Sequence, residues 1–67
     1  MKYEKERKFV KVANEKCRQE VIVSRIEILK TFYDERNLVG VRYQDRFGRV
    51  YEVKRNKNEY IRSEILC

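Results

Sequence analysis

The residues best suited to chemistry in this chain are cationic side chains gathered around one aromatic ring. Between positions 42 and 57 the sequence carries six basic residues against two acidic ones, with Phe47 near the middle. Guanidinium and ammonium groups neutralise phosphates, and an exposed ring stacks on unpaired bases. This combination favours a surface for DNA or RNA. The predicted contacts are Arg42, Arg46, Arg49, Lys54, Arg55 and Lys57 for phosphates, with Phe47 and Tyr60 for stacking.

The charge of the whole chain points the same way. Its 67 residues include 17 Lys and Arg, 11 Asp and Glu and no His, for a formal net charge of +6. The first 18 residues alone hold seven basic and three acidic side chains. Such a bias favours polyanionic partners. It also excludes a mimic of nucleic acid, which would have to be acidic.

Groups suited to catalysis are scarce. There is no His to act as a general base and no glycine-rich phosphate loop. Cys17 and Cys67 lie 50 residues apart, which does not make a zinc site. Asp34 and Asp45 fit turn initiators better than a carboxylate pair. We therefore expect a protein that is not an enzyme and needs no metal or cofactor.

Length and hydropathy indicate one small domain, residues 1–67, outside the membrane. The chain is 42% hydrophobic and 42% charged, enough for a single modest core. No stretch approaches the roughly 18 apolar residues of a membrane span, and the charged N-terminus does not resemble a secretory signal. We expect a cytoplasmic protein with a regulatory or accessory role, of the kind found in bacteria, archaea and their viruses.

Turn residues predict the fold. Proline is absent and glycine occurs twice, so turns are marked mainly by Asp and Asn. Segments 34–38, 45–49 and 55–59 fit three-residue hairpin loops. In each, the last loop residue takes the left-handed conformation, at Asn37, Gly48 and Asn58. The regular spacing predicts an antiparallel meander over residues 20–66.

Three-residue loops also fix which residues lie opposite each other. One face of the sheet then becomes apolar and the other polar. The predicted apolar pairs are Leu29 with Tyr43, Thr31 with Val41, Tyr33 with Val39, Tyr43 with Tyr51, Val41 with Val53, and Val53 with Ile61. The predicted polar face carries Tyr60, the ring of Phe32 beside Gly40, and a row of alternating charges formed by Arg42, Glu52 and Arg62.

The spacing of apolar residues in residues 20–33 fits both a helix and a strand. Ser24 and Glu27 make a capping box, which favours a helix and gives an alternative α+β fold with a helix over 25–35. The β-branched content and the first hairpin favour a long strand bent near Ser24 and Arg25, which is our prediction.

The basic N-terminal segment, residues 1–17, is helix or first strand. Glu4 and Lys8, four positions apart, support a helix. Phe9, Val10 and Val12 favour a strand. The sequence leaves both open.

A meander of short strands with one long bent member resembles the small barrels of the SH3-like, Sm-like and OB types. The resemblance covers residues 20–66 and is one of architecture. It implies a mainly β fold that curls into a barrel, used elsewhere for binding nucleic acids or proteins. A second hypothesis rests on the exposed edge of the predicted sheet and on the Phe47 loop, either of which could dock on a partner. The chain would be an inhibitor or adaptor that docks on an acidic protein, or a homodimer formed through its edge strand, residues 59–66.

Overall fold

The computed structural model describes residues 2–66, which form one helix and a four-stranded sheet. The elements are α1 (Glu4–Lys16), a 3₁₀ turn (Val23–Arg25), β1 (Glu27–Asp34), β2 (Asn37–Gln44), β3 (Val50–Asn56) and β4 (Glu59–Ile65). The sheet is antiparallel with order β1-β2-β3-β4, so the predicted mainly β class and meander are confirmed. Closure into a barrel is not seen: β1 and β4 are the two edges of an open sheet.

The N-terminal segment is a helix. Glu4 and Glu6 lie in its first turn and Lys16 in its last, where each charge interacts favourably with the helix dipole. Glu4 also pairs with Lys8 at 3.6 Å. The helix ends at Lys16, and Arg18 beyond it takes φ 57°, which lets the Gln19 amide donate to the carbonyl of Asn14 at 2.7 Å.

The helix covers one face of the sheet, here called the inner face. Val10 and Ala13 from α1 pack with Val41, Tyr43 and Val53 from the strands, and all five are fully buried. Burial of these apolar side chains is the main favourable term in folding. The opposite side of the sheet, the outer face, carries no helix in the described part of the chain.

Residues 20–33, whose pattern fits both a helix and a strand, are extended where they form the first hairpin. Residues 27–34 form β1, so a helix over 25–35 is wrong. The chain does bend at Ser24 and Arg25, but in a 3₁₀ turn, and residues 20–22 lie outside any strand. Pairing of β1 with β2 satisfies backbone groups that a helix would have paired internally.

The second hairpin forms as predicted. Tyr43 lies opposite Tyr51, and Arg42 lies opposite Glu52. Gly48 takes φ 84°, the left-handed conformation that its turn requires.

The first hairpin keeps part of its predicted register. Asp34 lies opposite Asn37, which leaves a two-residue loop with Glu35, not Asn37, at positive φ. A bulge between Tyr33 and Phe32 then restores the predicted pairing of Phe32 with Gly40, and a second bulge between Lys30 and Ile28 shifts the register again. The predicted pairs of Thr31 with Val41 and of Phe32 with Gly40 are confirmed. The predicted pairs of Leu29 with Tyr43 and of Tyr33 with Val39 are wrong, since Tyr43 lies opposite Ile28 and Tyr33 opposite Leu38.

The third hairpin differs by one residue, and the difference turns β4 over. The loop is Lys57 and Asn58, with φ 58° at Lys57, so Asn58 is not the left-handed residue. Arg62 then lies opposite Val53 on the inner face. A one-residue slip exchanges the two faces of a strand.

Three predictions about β4 are therefore wrong. Ile61 is on the outer face and 55% exposed rather than in the core. Ser63, not Arg62, lies opposite Glu52, so the predicted row of three alternating charges does not form. Tyr60 lies on the inner face beside α1, with its ring 5.6 Å from that of Phe9.

Candidate nucleic-acid interface

The eight residues predicted to bind nucleic acid do not form one surface. The structure places them at four sites on the molecule. Arg46, Phe47 and Arg49 lie at the β2–β3 hairpin; Arg42 and Lys54 lie on the outer face; Arg55 and Tyr60 lie near α1 at the other end of the strands; Lys57 lies in the β3–β4 loop.

The β2–β3 hairpin holds its tip in a fixed shape. One carboxylate oxygen of Asp45 accepts hydrogen bonds from the backbone amides of Phe47 and Arg49, each at 2.9 Å. The side-chain amide of Gln44 donates to the Gly48 carbonyl at 3.0 Å. Phe47 is left 73% exposed, with the Arg46 guanidinium 4.7 Å from the centre of its ring. The tip therefore presents an aromatic ring that no folding contact explains.

A groove of about 270 Å³ runs between this hairpin and the segment that follows α1. Four arginines line it, so we name it the arginine groove; they are Arg25, Arg46, Arg49 and Arg62. Glu20 and Asp45 are the acidic residues in its wall, and the Asp45 carboxylate is used by the turn. Within residues 2–66 none of the four guanidinium groups forms an ion pair. Their charge is available to an anion.

Arg62 is held in this groove by contacts that reach into the core. Its Nε donates to the Tyr43 hydroxyl at 3.2 Å, and its guanidinium carbon lies 3.9 Å from the centre of the Tyr51 ring. The same hydroxyl accepts from the side-chain amide of Asn14 at 3.3 Å, and that amide also donates to the Val10 carbonyl at 2.8 Å. Buried polar groups fully paired in this way fix the position of what they hold.

Arg49 lies close to negative and polar groups on β3 and β4. Hydrogen bonding to the Tyr51 side chain raises the pKa of Arg49, and the nearby charges of Tyr51, Glu64 and Asp45 raise it further. An arginine is already protonated at every physiological pH. The guanidinium therefore stays charged whatever binds beside it.

Two of the residues predicted to bind phosphate already form ion pairs within the protein, on the outer face. Arg42 donates to Glu52 at 3.0 and 3.3 Å, and Lys54 pairs with the same carboxylate at 3.5 Å. The Lys54 ammonium also lies 4.6 Å from the centre of the Phe32 ring, which covers Gly40 as predicted. These contacts neutralise part of the charge, so the outer face is a weaker anion site than the arginine groove.

A second groove, of about 290 Å³, lies at the opposite end of the strands. Its basic residues are Lys5, Lys8 and Arg55, and we name it the lysine groove. The packed rings of Phe9 and Tyr60 form its apolar wall. Tyr60 is half-buried there, so its ring is less open to a base than that of Phe47.

Sequence reasoning did not select Arg25 or Arg62. The predicted three-residue loop places Arg62 on the polar face, whereas the observed two-residue loop places it on the inner face. The sequence predicts only a bend at Arg25. The available clue was that Arg25 sits at the bend, where a side chain leaves the strand pattern and faces a neighbouring loop.

Residues 2–66 contain no cluster of three or more His, Cys, Asp or Glu side chains able to hold a metal ion. No helix in that part of the chain is long and apolar enough to cross a bilayer. A comparison with known proteins finds no family, no curated protein and no solved structure that matches this chain.

Proposed function

We propose that this is a small, basic, non-enzymatic nucleic-acid-binding protein with a regulatory or accessory role. The observation that carries the proposal is the arginine groove, where four guanidinium groups that form no ion pair within residues 2–66 lie beside an aromatic ring that is 73% exposed. Phosphates fit such a site because Arg binds them through parallel hydrogen bonds as well as charge.

The arginines of the groove and the exposed ring of Phe47 suit a nucleic-acid strand with accessible bases. Arg46 covers one side of the Phe47 ring, and a base stacks on the other side. A duplex keeps its bases stacked on each other and offers only its phosphates to the arginines. Cationic contacts to phosphate carry no sequence information, so specificity is weak. The lysine-rich first helix adds to the general attraction.

A titration with oligonucleotides tests this proposal. Fluorescence anisotropy of labelled single-stranded and double-stranded oligonucleotides, at about 50 and 200 mM salt, gives both the affinity and the number of phosphates contacted. We expect micromolar or tighter binding that falls by about 10³ between the two salt concentrations if six or more phosphates are contacted. Absence of binding at the lower salt concentration rejects the proposal.

A protein-binding module is the second candidate, and the edge of the sheet favours it. β4 is an edge strand with a regular register; Ile61 within it is 55% exposed and Leu66 just after it is 84% exposed. Such an edge accepts a strand from an acidic protein partner or from another copy of the chain. This candidate requires no response to oligonucleotides, so the same titration separates it from the first.

A further inference from the structure

The outer side of β4 presents backbone groups that the sheet leaves unpaired. Asn56 and Glu59 close a two-residue hairpin, so they form a hydrogen-bonded pair. Backbone groups then alternate along β4 between pointing to β3 and pointing away. Those pointing away belong to Tyr60, Arg62 and Glu64. The Cys17 thiol donates to the Tyr60 carbonyl at 3.3 Å, as expected for a carbonyl that β3 does not use.

Residues at equal distances on the two sides of Ser63 are complementary in charge or similar in hydrophobicity. One position away, Arg62 on one side matches Glu64 on the other; further out, Ile61 matches Ile65. Beyond these, Tyr60 matches Leu66. When two identical strands pair antiparallel about a two-fold axis, residues equally far from the axis lie opposite each other. An axis at Ser63 therefore sets unlike charges opposite each other and isoleucine opposite isoleucine.

We propose that β4 pairs antiparallel with β4 of a second copy of this chain, with the two-fold axis passing through Ser63. The two open sheets then become one continuous sheet. Arg62 and Glu64, whose backbone groups point outward, form the hydrogen-bonded pairs of the new ladder. Both residues lie on the inner face, so both helices cover the same side of the joined sheet.

Charge selects this register over its neighbours. An axis at Arg62 sets two arginines directly opposite each other, and an axis at Glu64 does the same with two carboxylates. Like charges directly opposite on a sheet are destabilising. An axis between residues would pair inner-face with outer-face side chains, which disrupts the ladder. The axis at Ser63 avoids all three faults.

The same register covers apolar groups that the single chain leaves in water. Ile61, 55% exposed, packs on the outer face against Ile65 of the second copy. Leu66, 84% exposed, comes opposite Tyr60 on the inner face, close to Cys17 at the end of α1. Neither Arg62 nor Glu64 forms an ion pair within residues 2–66. Each gains an opposite charge from the second copy.

This inference gives the second candidate function a defined partner, and it stands whether or not the chain binds nucleic acid. Sedimentation velocity over about 10 to 500 µM, without nucleic acid, is the first test, because a short edge contact forms a weak dimer. We expect a reversible monomer–dimer equilibrium in that range. A chain that stays monomeric throughout overturns the inference, while oligonucleotide binding by that monomer leaves the proposed function intact.

Cross-linking tests the axis itself. In a background with Cys17→Ser and Cys67→Ser, Ser63→Cys places two thiols across the axis, at about the 4.5 Å Cα separation of a non-hydrogen-bonded pair, which a disulfide can span. Ile61→Cys is the matched control, since its two copies lie four residues apart along the strands, about 13 Å. We expect rapid disulfide dimer formation for the first variant only. Equal rates for the two variants overturn the register.

Charge reversal tests the selection of the register. Glu64→Arg sets arginine opposite Arg62 in both symmetric pairs, so we expect the dimer dissociation constant to rise about tenfold or more. Glu27→Arg is the control, since it makes the same change in net charge on β1, the opposite edge. Adding Arg62→Glu to Glu64→Arg restores unlike pairs. An unchanged dissociation constant for Glu64→Arg contradicts the proposed pairing.

Discussion

The arginine groove and the lysine groove lie at opposite ends of the same sheet and differ in how much of their charge is available. Both are of similar volume, at about 270 and 290 Å³, and both combine cations with aromatic rings. In the lysine groove Lys8 pairs with Glu4, and the rings of Phe9 and Tyr60 pack on each other.

In the arginine groove the Asp45 carboxylate is occupied by backbone amides. Asp45 is fixed by the amides of Phe47 and Arg49, and the arginines around it keep no ion pair within the described chain. Phe47 keeps most of its surface in water. A count of charges therefore does not distinguish the two grooves, whereas the hydrogen-bond partners of each charge do.

Charge reversal at each end should give the largest difference between the two grooves. We expect Arg46→Glu with Arg49→Glu to lower oligonucleotide affinity on the order of 100-fold, because two phosphate contacts become repulsive. The matched pair, Lys5→Glu with Lys8→Glu, changes the net charge equally and should cost less than about fivefold. Anisotropy at about 50 mM salt measures both. Equal losses would show that only the total charge matters.

Removing one tyrosine hydroxyl from each groove should lower the free energy of unfolding by different amounts. Tyr43→Phe deprives Arg62 and Asn14 of their shared partner, so we expect a loss of about 1–3 kcal/mol in the free energy of unfolding. The Tyr60 hydroxyl has no hydrogen-bond partner within residues 2–66, and Tyr60→Phe should change stability by less than about 0.5 kcal/mol. Urea unfolding of the two variants gives the comparison. A similar loss for both would argue against the buried network.

Truncation of the exposed ring should weaken only one mode of binding. We expect Phe47→Ala to reduce affinity for single strands about tenfold, the effect of losing one stacked base. The affinity for duplex should change much less, because paired bases do not reach the ring. Anisotropy at two salt concentrations provides the check. The salt dependence should stay the same, since no charge is removed; a changed slope would mean that Phe47 does not act as a stacking platform.

A small effect of pH is expected at the end of the sheet that holds the lysine groove. Partial burial raises the pKa of Tyr33 above its ordinary value of 10.0, and the hydrogen bond to Glu6, at 3.1 Å, and its charge raise it further. A folded-state pKa above the unfolded value means that the contribution is complete below pH 10 and is lost as pH rises through the folded pKa. Urea unfolding between about pH 9 and 11 should show this loss. Glu6→Gln should reduce it.

The parts of the fold that sequence predicted best are those where two independent patterns agree. At the second hairpin, Asp45 and Gly48 mark the turn, and Tyr43 with Tyr51 marks the inner face; the observed pairing matches both. At the first and third hairpins the prediction places the left-handed residue at Asn37 and Asn58. There Glu35 and Lys57 take positive φ instead, since two-residue loops match the twist of the strands they join.

The site was less predictable because it depends on contacts distant in sequence. Arg62 belongs to the arginine groove only through the register of β4 and the hydroxyl of Tyr43. Arg25 belongs to it only because the chain after α1 crosses beside the β2–β3 hairpin. Turn chemistry identifies Arg46, Phe47 and Arg49 without such knowledge, since all three lie within one loop.

The register shifts in β1 make the two edges of the sheet unequal. Leu29 has no partner in the ladder between β1 and β2, so β1 is kinked there. The pairing of β4 with β3 has no such interruption. A kinked margin offers no regular template to an incoming strand. If two copies join through β4 as proposed, β1 gives the pair no second regular edge, and we expect no further stacking of chains into fibrils.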